Sequence, residues 1–283
     1  MSIPDSRMYL DLMLSLVEEG GRIALEFINS SQAELKADAS VITKTDLLIS
    51  ALAAEKLKPV LAMEGHVLID EEVSFLSEQQ DNRFLDEHPF VWSLDPVDAT
   101  RAYANRMPHY GISIGLIKDR RPWLGAVYFP SLRELFYCDG EEAYFVKDAF
   151  TVSAVKTVIR PVDEAISSRS IFITTDQILT DFQWNSSDCR VMVFSAAVCE
   201  LCWPSIGRGC GSLIKVHLWD MAGSWPIFER AGLKLFSFKD GSVLDILDTA
   251  LFEKGATPWK LKEYYILSTA RNYPLIKSRL SIR

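Results

Sequence analysis

The first sixty residues carry apolar side chains at the spacing of amphipathic helices. Apolar residues recur every three or four positions over residues 10–28, interrupted by Gly20-Gly21. This pattern predicts one long helix, with the two glycines as the place where it could be disturbed. A second amphipathic run follows Thr45-Asp46 and continues to Leu61. Because a capping-type pair precedes this run, Asp46 is expected at the start of a helix.

From residue 67 the pattern changes to short apolar runs, which are typical of buried strands. Residues 67–69 end in Asp70-Glu71-Glu72, and residues 90–94 end in Asp95-Pro96-Val97-Asp98. Two strands that each deliver acids at the C-terminal end suggest neighbouring strands that share a site. Further runs separated by turn sequences predict antiparallel strands at 110–117, 123–129, 134–138 and 143–146.

Beyond residue 150, strand-like and helix-like runs alternate. Strands are predicted at 170–174 and 191–194, and helices at 195–203, ended by Pro204, and at 219–230, with Gly232 as a stop signal. The chain is therefore expected to divide near residue 150. Residues 1–150 would form one half, built from helices and an antiparallel sheet, and residues 151–283 would form a second half of the α/β type. The predicted fold class is therefore a mixed one, α/β (α+β).

Composition and charge argue against several classes of protein. The 283 residues are 48% hydrophobic and 24% charged, as in globular proteins. The longest uncharged stretches fall short of the ~18 residues that span a bilayer, so no membrane is expected. A net charge of −8 argues against nucleic acid, whereas an enzyme that binds divalent cations and small anions tolerates such acidity. Acids near the N-terminus (Asp11, Glu18, Glu19) argue against a secretory signal and predict a cytoplasmic protein.

The chain has five cysteines, an odd number without disulfide-scaffold spacing, which indicates reduced thiols. Cys199 and Cys202 have the spacing of a redox or zinc pair. No second pair occurs at zinc-finger spacing, and both cysteines stand in an apolar helical run. We interpret them as two helical cysteines packed in a core.

The strongest signal for chemistry is the segment from Asp95 to Thr100. Asp95 and Asp98 follow an apolar strand and enclose a proline-restricted turn, so both carboxylates can converge on one point with the Val97 carbonyl. Oxygen ligands of this kind bind hard divalent cations. Thr100 can begin the next helix or turn, where unpaired backbone N–H groups favour a phosphate.

Two other interpretations compete for this segment. An Asp-Pro turn with a capping aspartate would need the same residues without any chemistry. Haloacid-dehalogenase-type phosphatases also place two aspartates after a strand, at D-x-D-x-[TV] spacing. Asp95 and Asp98 stand one residue further apart, which would turn the second aspartate away from the position that an acid/base needs.

A further acid, Asp220, stands in the sequence Trp219-Asp220-Met221-Ala222-Gly223. It is expected as the first residue of an amphipathic helix, where its simplest role is to cap that helix. The small residues at 222 and 223 would allow another element to pack closely.

Together these segments resemble the signature of the inositol monophosphatase family, the lithium-sensitive, magnesium-dependent phosphomonoesterases. The resemblance covers about residues 40–235 and rests on Asp46, Glu71-Glu72, Asp95 to Thr100 and Trp219 to Gly223. It implies a layered αβαβα sandwich of the inositol monophosphatase and fructose bisphosphatase type, usually a homodimer, with the site between the two halves. It also implies hydrolysis of small, soluble phosphate monoesters.

The resemblance also implies roles for individual residues. Two or three Mg²⁺ ions are expected, one bound by Glu71, Asp95 and the Val97 carbonyl, and a second by Asp95, Asp98 and Asp220. Glu71 and Thr100 would position the attacking water, with Asp46 polarising the Thr100 hydroxyl. Backbone N–H groups of Ala99 and Thr100 would bind the phosphate. The expected substrate contacts are Arg101, Ser195, Ala196 and Lys215.

The chain departs from the family pattern at several positions. Ala99 and Asp70 replace glycines, and Leu213 stands where inositol phosphatases carry a glutamate that holds sugar hydroxyls. Arg101 is basic, as in relatives that act on other substrates. A 3′(2′),5′-bisphosphate nucleotidase, a histidinol-phosphate phosphatase and a non-catalytic metal-binding relative therefore remain alternatives. We expect a preference for substrates with a second phosphate or a carboxylate.

Overall fold

Helices and sheets alternate in five layers in the computed structural model, which describes residues 6–30, 33–35, 41–74, 84–255 and 258–283. The described helices are α1 (Ser6–Phe27), α2 (Lys44–Leu61), α3 (Glu71–Ser74), α4 (Phe84–Glu87), α5 (Thr100–Ala104), α6 (Gln177–Asp181), α7 (Ala197–Cys202), α8 (Leu218–Ala222), α9 (Trp225–Arg230) and α10 (Tyr273–Arg279), with 3₁₀ turns at Trp203–Ile206 and Thr249–Leu251. The described strands are β1 (Ala33–Leu35), β2 (Val41–Thr43), β3 (His66–Asp70), β4 (Phe90–Asp98), β5 (Gly111–Lys118), β6 (Arg121–Phe129), β7 (Glu134–Cys138), β8 (Ala143–Lys147), β9 (Val155–Val158), β10 (Ile171–Thr174), β11 (Phe182–Trp184), β12 (Arg190–Val193), β13 (Gly211–Ile214), β14 (Lys234–Ser237), β15 (Tyr265–Ser268) and β16 (Leu280–Ile282).

The larger sheet has seven strands in the order β3-β4-β5-β6-β7-β8-β9. β3 and β4 are parallel neighbours, and each later pair is antiparallel. The predicted pairing of the two acid-ended strands and the four predicted antiparallel strands are thus confirmed. The sequence does not predict β9, because its first three residues are exposed and form no apolar run.

The smaller sheet has five strands in the order β12-β10-β13-β15-β14. β10 is parallel to both β12 and β13, whereas β15 is antiparallel to β13 and β14. The chain passes from one sheet to the other between Val158 and Ile171.

α1 runs without interruption through Gly20 and Gly21, so the expected disturbance is absent. A Cβ on Gly21 would lie 2.4 Å from Cε1 of Tyr128, and one on Gly20 would lie 3.0 Å from Cδ1 of Ile112. The glycines therefore allow the helix to approach the seven-stranded sheet closely, which offsets their low helix propensity.

The predicted helix at 219–230 is in fact two helices, α8 and α9. The break follows from Pro226, which lies in the first turn of α9. A proline has no N–H and its ring clashes with the carbonyl four residues earlier, so it is tolerated at a helix start but not inside a helix. The expected close packing at 222–223 is confirmed, because a Cβ on Gly115 would lie 2.3 Å from the Ala222 carbonyl carbon.

The predicted helix at 195–203 also starts and ends elsewhere. Ser195 has a φ of 51°, which is outside the right-handed helical region, and α7 begins at Ala197. Pro204 does not end the helical segment but lies in the first turn of the 3₁₀ segment that follows.

Three clusters of buried apolar side chains join the layers. One fills the space between α1, α2 and the seven-stranded sheet, and another lies between the two sheets around α7, α8 and α9. The third packs α6 and α10 against the outer face of the five-stranded sheet. The order is therefore α, β, α, β, α, as the resemblance implied. Among the described helices, none is long and apolar enough to span a bilayer.

Candidate active site

Parallel strands of both sheets end at one cleft. Glu71 follows β3, Asp95 and Asp98 lie at the end of β4, and Ser195 and Lys215 follow β12 and β13. All of them line the same cleft of about 260 Å³, together with Val97, Ala99, Thr100, Ala196 and Asp220. Apart from Asp46 and Arg101, the cleft contains every residue that the sequence singled out for the site.

A β-bulge directs Asp95 and Asp98 toward the same point. Asp95 pairs with Ser113 and Asp98 with Gly111, so β4 has one more residue than β5 in this interval. Residues three positions apart in a regular strand face opposite sides of a sheet, and the extra residue restores a common side. The sequence predicted convergence through a turn after the strand, whereas the strand continues through Pro96 to Asp98.

The third carboxylate comes from α8. Asp220 is the third residue of this helix rather than the first, and its Oδ2 accepts the backbone N–H of His217 at 2.8 Å. One carboxylate oxygen from each of Asp95, Asp98 and Asp220 lies within 4.8 Å of the other two. The arrangement thus joins ligands from the seven-stranded sheet to one from the layer between the sheets.

Burial and mutual repulsion disfavour the ionised form of the carboxyl groups in this cluster. Asp95 and Asp98 are 2% and 4% exposed. Burial raises the pKa of Asp95 well above its usual value, and the charges of Glu71, Asp98 and Asp220 raise it further. Burial and Asp220 likewise raise the pKa of Asp98, against backbone N–H groups of Val198 and Ala197 that stabilise its carboxylate.

The donor set fits a hard divalent cation. The buried Oδ1 atoms of Asp95 and Asp98 accept no hydrogen bond from the residues that the structure describes. Unpartnered buried carboxylate oxygens are costly unless they bind a cation. Oxygen ligands at a single point are those that Mg²⁺ and Ca²⁺ prefer.

The acids at the end of β3 have different environments. Glu71 lines the cleft. Asp70 is buried, and its Oδ1 accepts hydrogen bonds from the Ser50 hydroxyl at 3.0 Å and from the Glu72 backbone N–H at 2.8 Å. Asp70 therefore caps the first turn of α3 and is absent from the residues that line the cleft.

Ala99 has the left-handed conformation that usually favours glycine, with a φ of 65°. It precedes α5, which begins at Thr100 as the sequence predicted. The Thr100 hydroxyl donates to the Val97 carbonyl at 3.0 Å. A carbonyl oxygen has two lone pairs, so this bond leaves one for a cation.

Asp46 accepts its side-chain hydrogen bonds from Thr43 and not from Thr100. It is the third residue of α2, and its Oδ2 accepts the backbone N–H of Thr43 at 2.8 Å and the Thr43 hydroxyl at 2.5 Å. The single hydroxyl hydrogen of Thr100 is donated to Val97 and not to Asp46. Burial raises the pKa of Asp46 to about 7, although the hydrogen bonds from Thr43 oppose this shift.

The expected substrate contacts divide between two cavities. Arg101 lines a neighbouring cavity of about 690 Å³, which shares Glu71, Thr100 and Ser195 with the cleft. Lys215 lies 3.1 Å from Glu253, an ion pair at the edge of the cleft. Leu213 is fully buried in the outer apolar cluster and does not line the cleft.

Sequence analysis missed Glu200 as a site residue. It lines the cleft from α7, is 1% exposed, and its Oε1 accepts no hydrogen bond from any described residue. Burial and the charge of Asp98 raise its pKa well above the usual value. The available signal was a glutamate inside an apolar helical run, a position that charged residues occupy rarely without a partner.

A layered αβαβα sandwich with a carboxylate cluster at converging strand ends is the arrangement that the resemblance to cation-dependent phosphatases of phosphate monoesters implied. The model of the inositol monophosphatase family matches residues 11–275, and the chain belongs to this family.

Individual relatives are distant but cover most of the chain. Inositol monophosphatase 3 of Solanum lycopersicum is 26% identical over 91% of this chain and 95% of its own. The histidinol-phosphatase of Chlorobaculum parvum is 27% identical over 81% of this chain and 86% of its own. Among solved structures, an IMPase/NADP phosphatase complexed with NADP and Ca²⁺ superimposes with a TM-score of 0.72 at 17% identity, covering 98% of this chain and 96% of that one.

Proposed function

We propose that the chain hydrolyses small phosphate monoesters with two or three Mg²⁺ ions bound in the cleft. The observation that carries this proposal is the convergence of Asp95, Asp98 and Asp220 within 4.8 Å, with buried oxygens that lack other partners among the described residues. Glu71, Asp95 and the Val97 carbonyl would hold one ion, and Asp95, Asp98 and Asp220 another. Bound there, the ions supply activation of water and stabilisation of the leaving oxygen.

The surrounding residues act on the water and the phosphate. Glu71 and Thr100 position the attacking water; the Thr100 hydroxyl donates to Val97 at 3.0 Å, so its oxygen still accepts a hydrogen bond. The backbone N–H groups of Ala99 and Thr100, at the start of α5, bind phosphate oxygens. Asp46 acts indirectly, as a positioning residue that fixes the start of α2 through Thr43.

The neighbouring cavity would receive the organic part of the substrate. Besides Arg101, its wall includes Met107, His109 and Phe194, and the rings of His109 and Phe194 meet edge to face at 5.7 Å. Arg101 is suited to a second anionic group, and the apolar and aromatic wall to a planar ring. Ser195, which lines both cavities, contacts the substrate together with Ala196 and Lys215 of the cleft.

This wall favours two alternatives over simple inositol monophosphate. A bisphosphate nucleotidase would place a base against the aromatic wall and a second phosphate on Arg101. A histidinol-phosphate phosphatase would place an imidazole there. The same cavity also offers Asn105, Thr175 and Asp176 to polar groups, so the preference rests on Arg101 and the aromatic side chains.

A phosphate-release screen tests both parts of the proposal. Chelator-treated protein should be inactive on every ester, and Mg²⁺ should restore turnover. Release from inositol 1-phosphate, histidinol phosphate and adenosine 3′,5′-bisphosphate is then compared by kcat/KM. Full activity without a divalent ion would refute the metal scheme, and Mg²⁺ binding without turnover of any ester would favour a non-catalytic metal-binding relative.

Four further properties stay predictions from the sequence and the family. Lithium inhibits, because lithium sensitivity is a property of the family that the chain resembles. Two copies associate as a homodimer. The protein works in the cytoplasm, where none of its five cysteines is expected in a structural disulfide. The functional halves divide near residue 150, with Asp220 and most substrate contacts in the second half.

A further inference from the structure

Cys189 and Cys210 bring their sulfur atoms to 3.7 Å of each other beside the five-stranded sheet. Cys189 precedes β12 and Cys210 precedes β13, on the two sides of β10. The Cys210 backbone N–H donates to the Ile171 carbonyl at 2.8 Å, and that of Arg190 donates to the Ser170 carbonyl at 3.1 Å. Both cysteines are therefore held at the start of β10 by backbone hydrogen bonds.

The two cysteines that look like a redox pair in the sequence have a different environment. Cys199 and Cys202 are both 0% exposed in the layer between the sheets. Burial raises the pKa of each thiol well above its usual value. Because the thiolate is the reactive form, these two cysteines are expected to be inert in the folded protein.

We propose that Cys189 and Cys210 form an oxidisable dithiol, which a peroxide converts into an intramolecular disulfide. The sulfurs have to approach from 3.7 Å to about 2.05 Å. Because the two cysteines stand just before β12 and β13, on either side of β10, this approach also needs the segments that precede these strands to move toward each other. Cys189 is itself only 1% exposed, so a small oxidant has to reach its sulfur past Cys210, which is partly exposed and lines a cavity of about 320 Å³.

The local charges favour a thiolate on Cys189. The Cys210 thiol hydrogen-bonds to the Cys189 sulfur, and with the guanidinium of Arg279 it lowers the pKa of Cys189 against the opposing effect of burial. The same contact raises the pKa of Cys210, which therefore keeps its proton. Asp188 opposes the shift at Cys189, but its carboxylate lies 2.8 Å from the Arg279 guanidinium.

Oxidation proceeds in two balanced steps. The Cys189 thiolate attacks one peroxide oxygen, the O–O bond breaks, and a sulfenic acid and hydroxide form. The Cys210 sulfur then attacks the sulfenic sulfur, the S–S bond forms, and the S–O bond breaks. The proton of Cys210 leaves with the expelled oxygen as water, so two electrons pass from the two sulfurs to one peroxide.

The position of the pair predicts what the disulfide does. It joins residues 21 positions apart, and closing such a loop restricts the unfolded chain. The phosphatase cleft lies beyond the opposite ends of β10, β12 and β13. We therefore expect a higher melting temperature after oxidation, with phosphatase activity retained.

Peptide mapping of the full chain tests this inference. The purified protein is treated with hydrogen peroxide, alkylated without reduction, digested and analysed by mass spectrometry. We expect one cross-linked peptide pair that contains Cys189 and Cys210, lighter by two hydrogens than the reduced pair. The melting temperature of the oxidised protein should rise by several degrees and return after reduction.

Serine variants provide matched controls. Cys189→Ser and Cys210→Ser should each abolish the cross-link and the rise in melting temperature, whereas Cys199→Ser should leave both unchanged. A cross-link between Cys199 and Cys202, or sulfinic acid on Cys189 without any cross-link, would overturn the proposal. Because each readout is chemical or thermal, its failure is distinguishable from a failure of the proposed phosphatase activity.

Discussion

Gly125 of β6 lies so close to Gly223 that a Cβ on Gly125 would come within 2.0 Å of the Gly223 carbonyl oxygen. This contact sets the distance between the seven-stranded sheet and the helices α8 and α9. Because Asp220 stands on α8, the same contact fixes the depth of one carboxylate relative to the two on β4.

Gly125→Ala should therefore be strongly destabilising. The added methyl group meets backbone that cannot rotate away, and overpacking of this kind costs about 3 kcal/mol. Chemical denaturation should show this loss as a lower free energy of unfolding. Gly20→Ala is the matched control, because its Cβ would contact the flexible end of Ile112 at 3.0 Å and alanine favours a helix. Equal losses in the two variants would contradict this account.

Asp95→Asn should remove nearly all turnover, by about 100-fold or more, because Asp95 is proposed to ligate both cations. The metal-free variant should unfold at the same temperature as the parent or higher, since one source of repulsion with Asp98 and Asp220 is gone. Steady-state kinetics and melting curves in chelator measure the two effects. Glu71→Gln should behave similarly and Glu72→Gln should cost less. Turnover within threefold of the parent would exclude a bridging role for Asp95.

Asp46 should make the metal-free protein less stable as the pH rises. Its pKa is about 7 in the folded chain against 3.8 without burial. Between these values the folded state binds a proton that the unfolded state has lost. The free energy of unfolding therefore falls as the pH rises from about 4 to about 7, and this contribution is constant above pH 7. The contribution is on the order of 4 kcal/mol.

Denaturation in chelator at several pH values, for the parent and for Asp46→Asn, measures this contribution. The asparagine keeps an acceptor for Thr43 but does not titrate, so the difference between the two proteins isolates Asp46 from the other buried acids. A difference that does not change between pH 5 and pH 7 would contradict the prediction.

Ala99→Gly should stabilise the chain by about 1 kcal/mol, because glycine adopts the observed φ of 65° without the strain that a Cβ causes. For a chain of this size the melting temperature should rise by about 2–4 °C. Ala102→Gly, in the helical part of α5, is the control and should destabilise by about 1 kcal/mol. If both glycines destabilise, the left-handed conformation of Ala99 carries no strain.

Arg101→Ala should raise KM for substrates with a second anionic group, by about tenfold if one charge-assisted hydrogen bond is lost. KM for a simple monophosphate should change little. Arg160→Ala removes the same charge from an exposed position outside both cavities and should change neither value. Equal increases for mono- and bisphosphates would show that Arg101 acts on the reacting phosphate or on the fold.

The sequence predicted the acids of the cleft well because acid-ended apolar runs report both burial and strand direction. Sequence patterns were less informative where the backbone conformation depends on a single residue. The bulge at Pro96-Val97 and the break between α8 and α9 depend on local backbone geometry that periodicity does not contain. The sequence also did not show on which side of the sheet Leu213 lies, because alternate residues of β13 face opposite sides and only the assembled sheet fixes the register.

Side-chain partners were the least predictable feature. Asp46 stands at the expected helix start, but the sequence did not reveal that Thr43, three residues earlier, donates two hydrogen bonds to its carboxylate. Glu200 was assigned to an apolar helix and not to the cleft, because the cleft forms only when α7 packs between the two sheets.

The bulge in β4 decides whether Asp95 and Asp98 face the same side of the sheet, and the proposed chemistry depends on that. Asp95 and Asp98 stand an odd number of positions apart, and one additional residue makes the interval effectively even. Deleting Val97 would restore regular alternation and could leave both sheets and their apolar faces in place. One carboxylate would then point away from its partners, into the apolar face of the sheet. A protein altered in this way would keep the helix and strand content of a phosphatase and lack its chemistry.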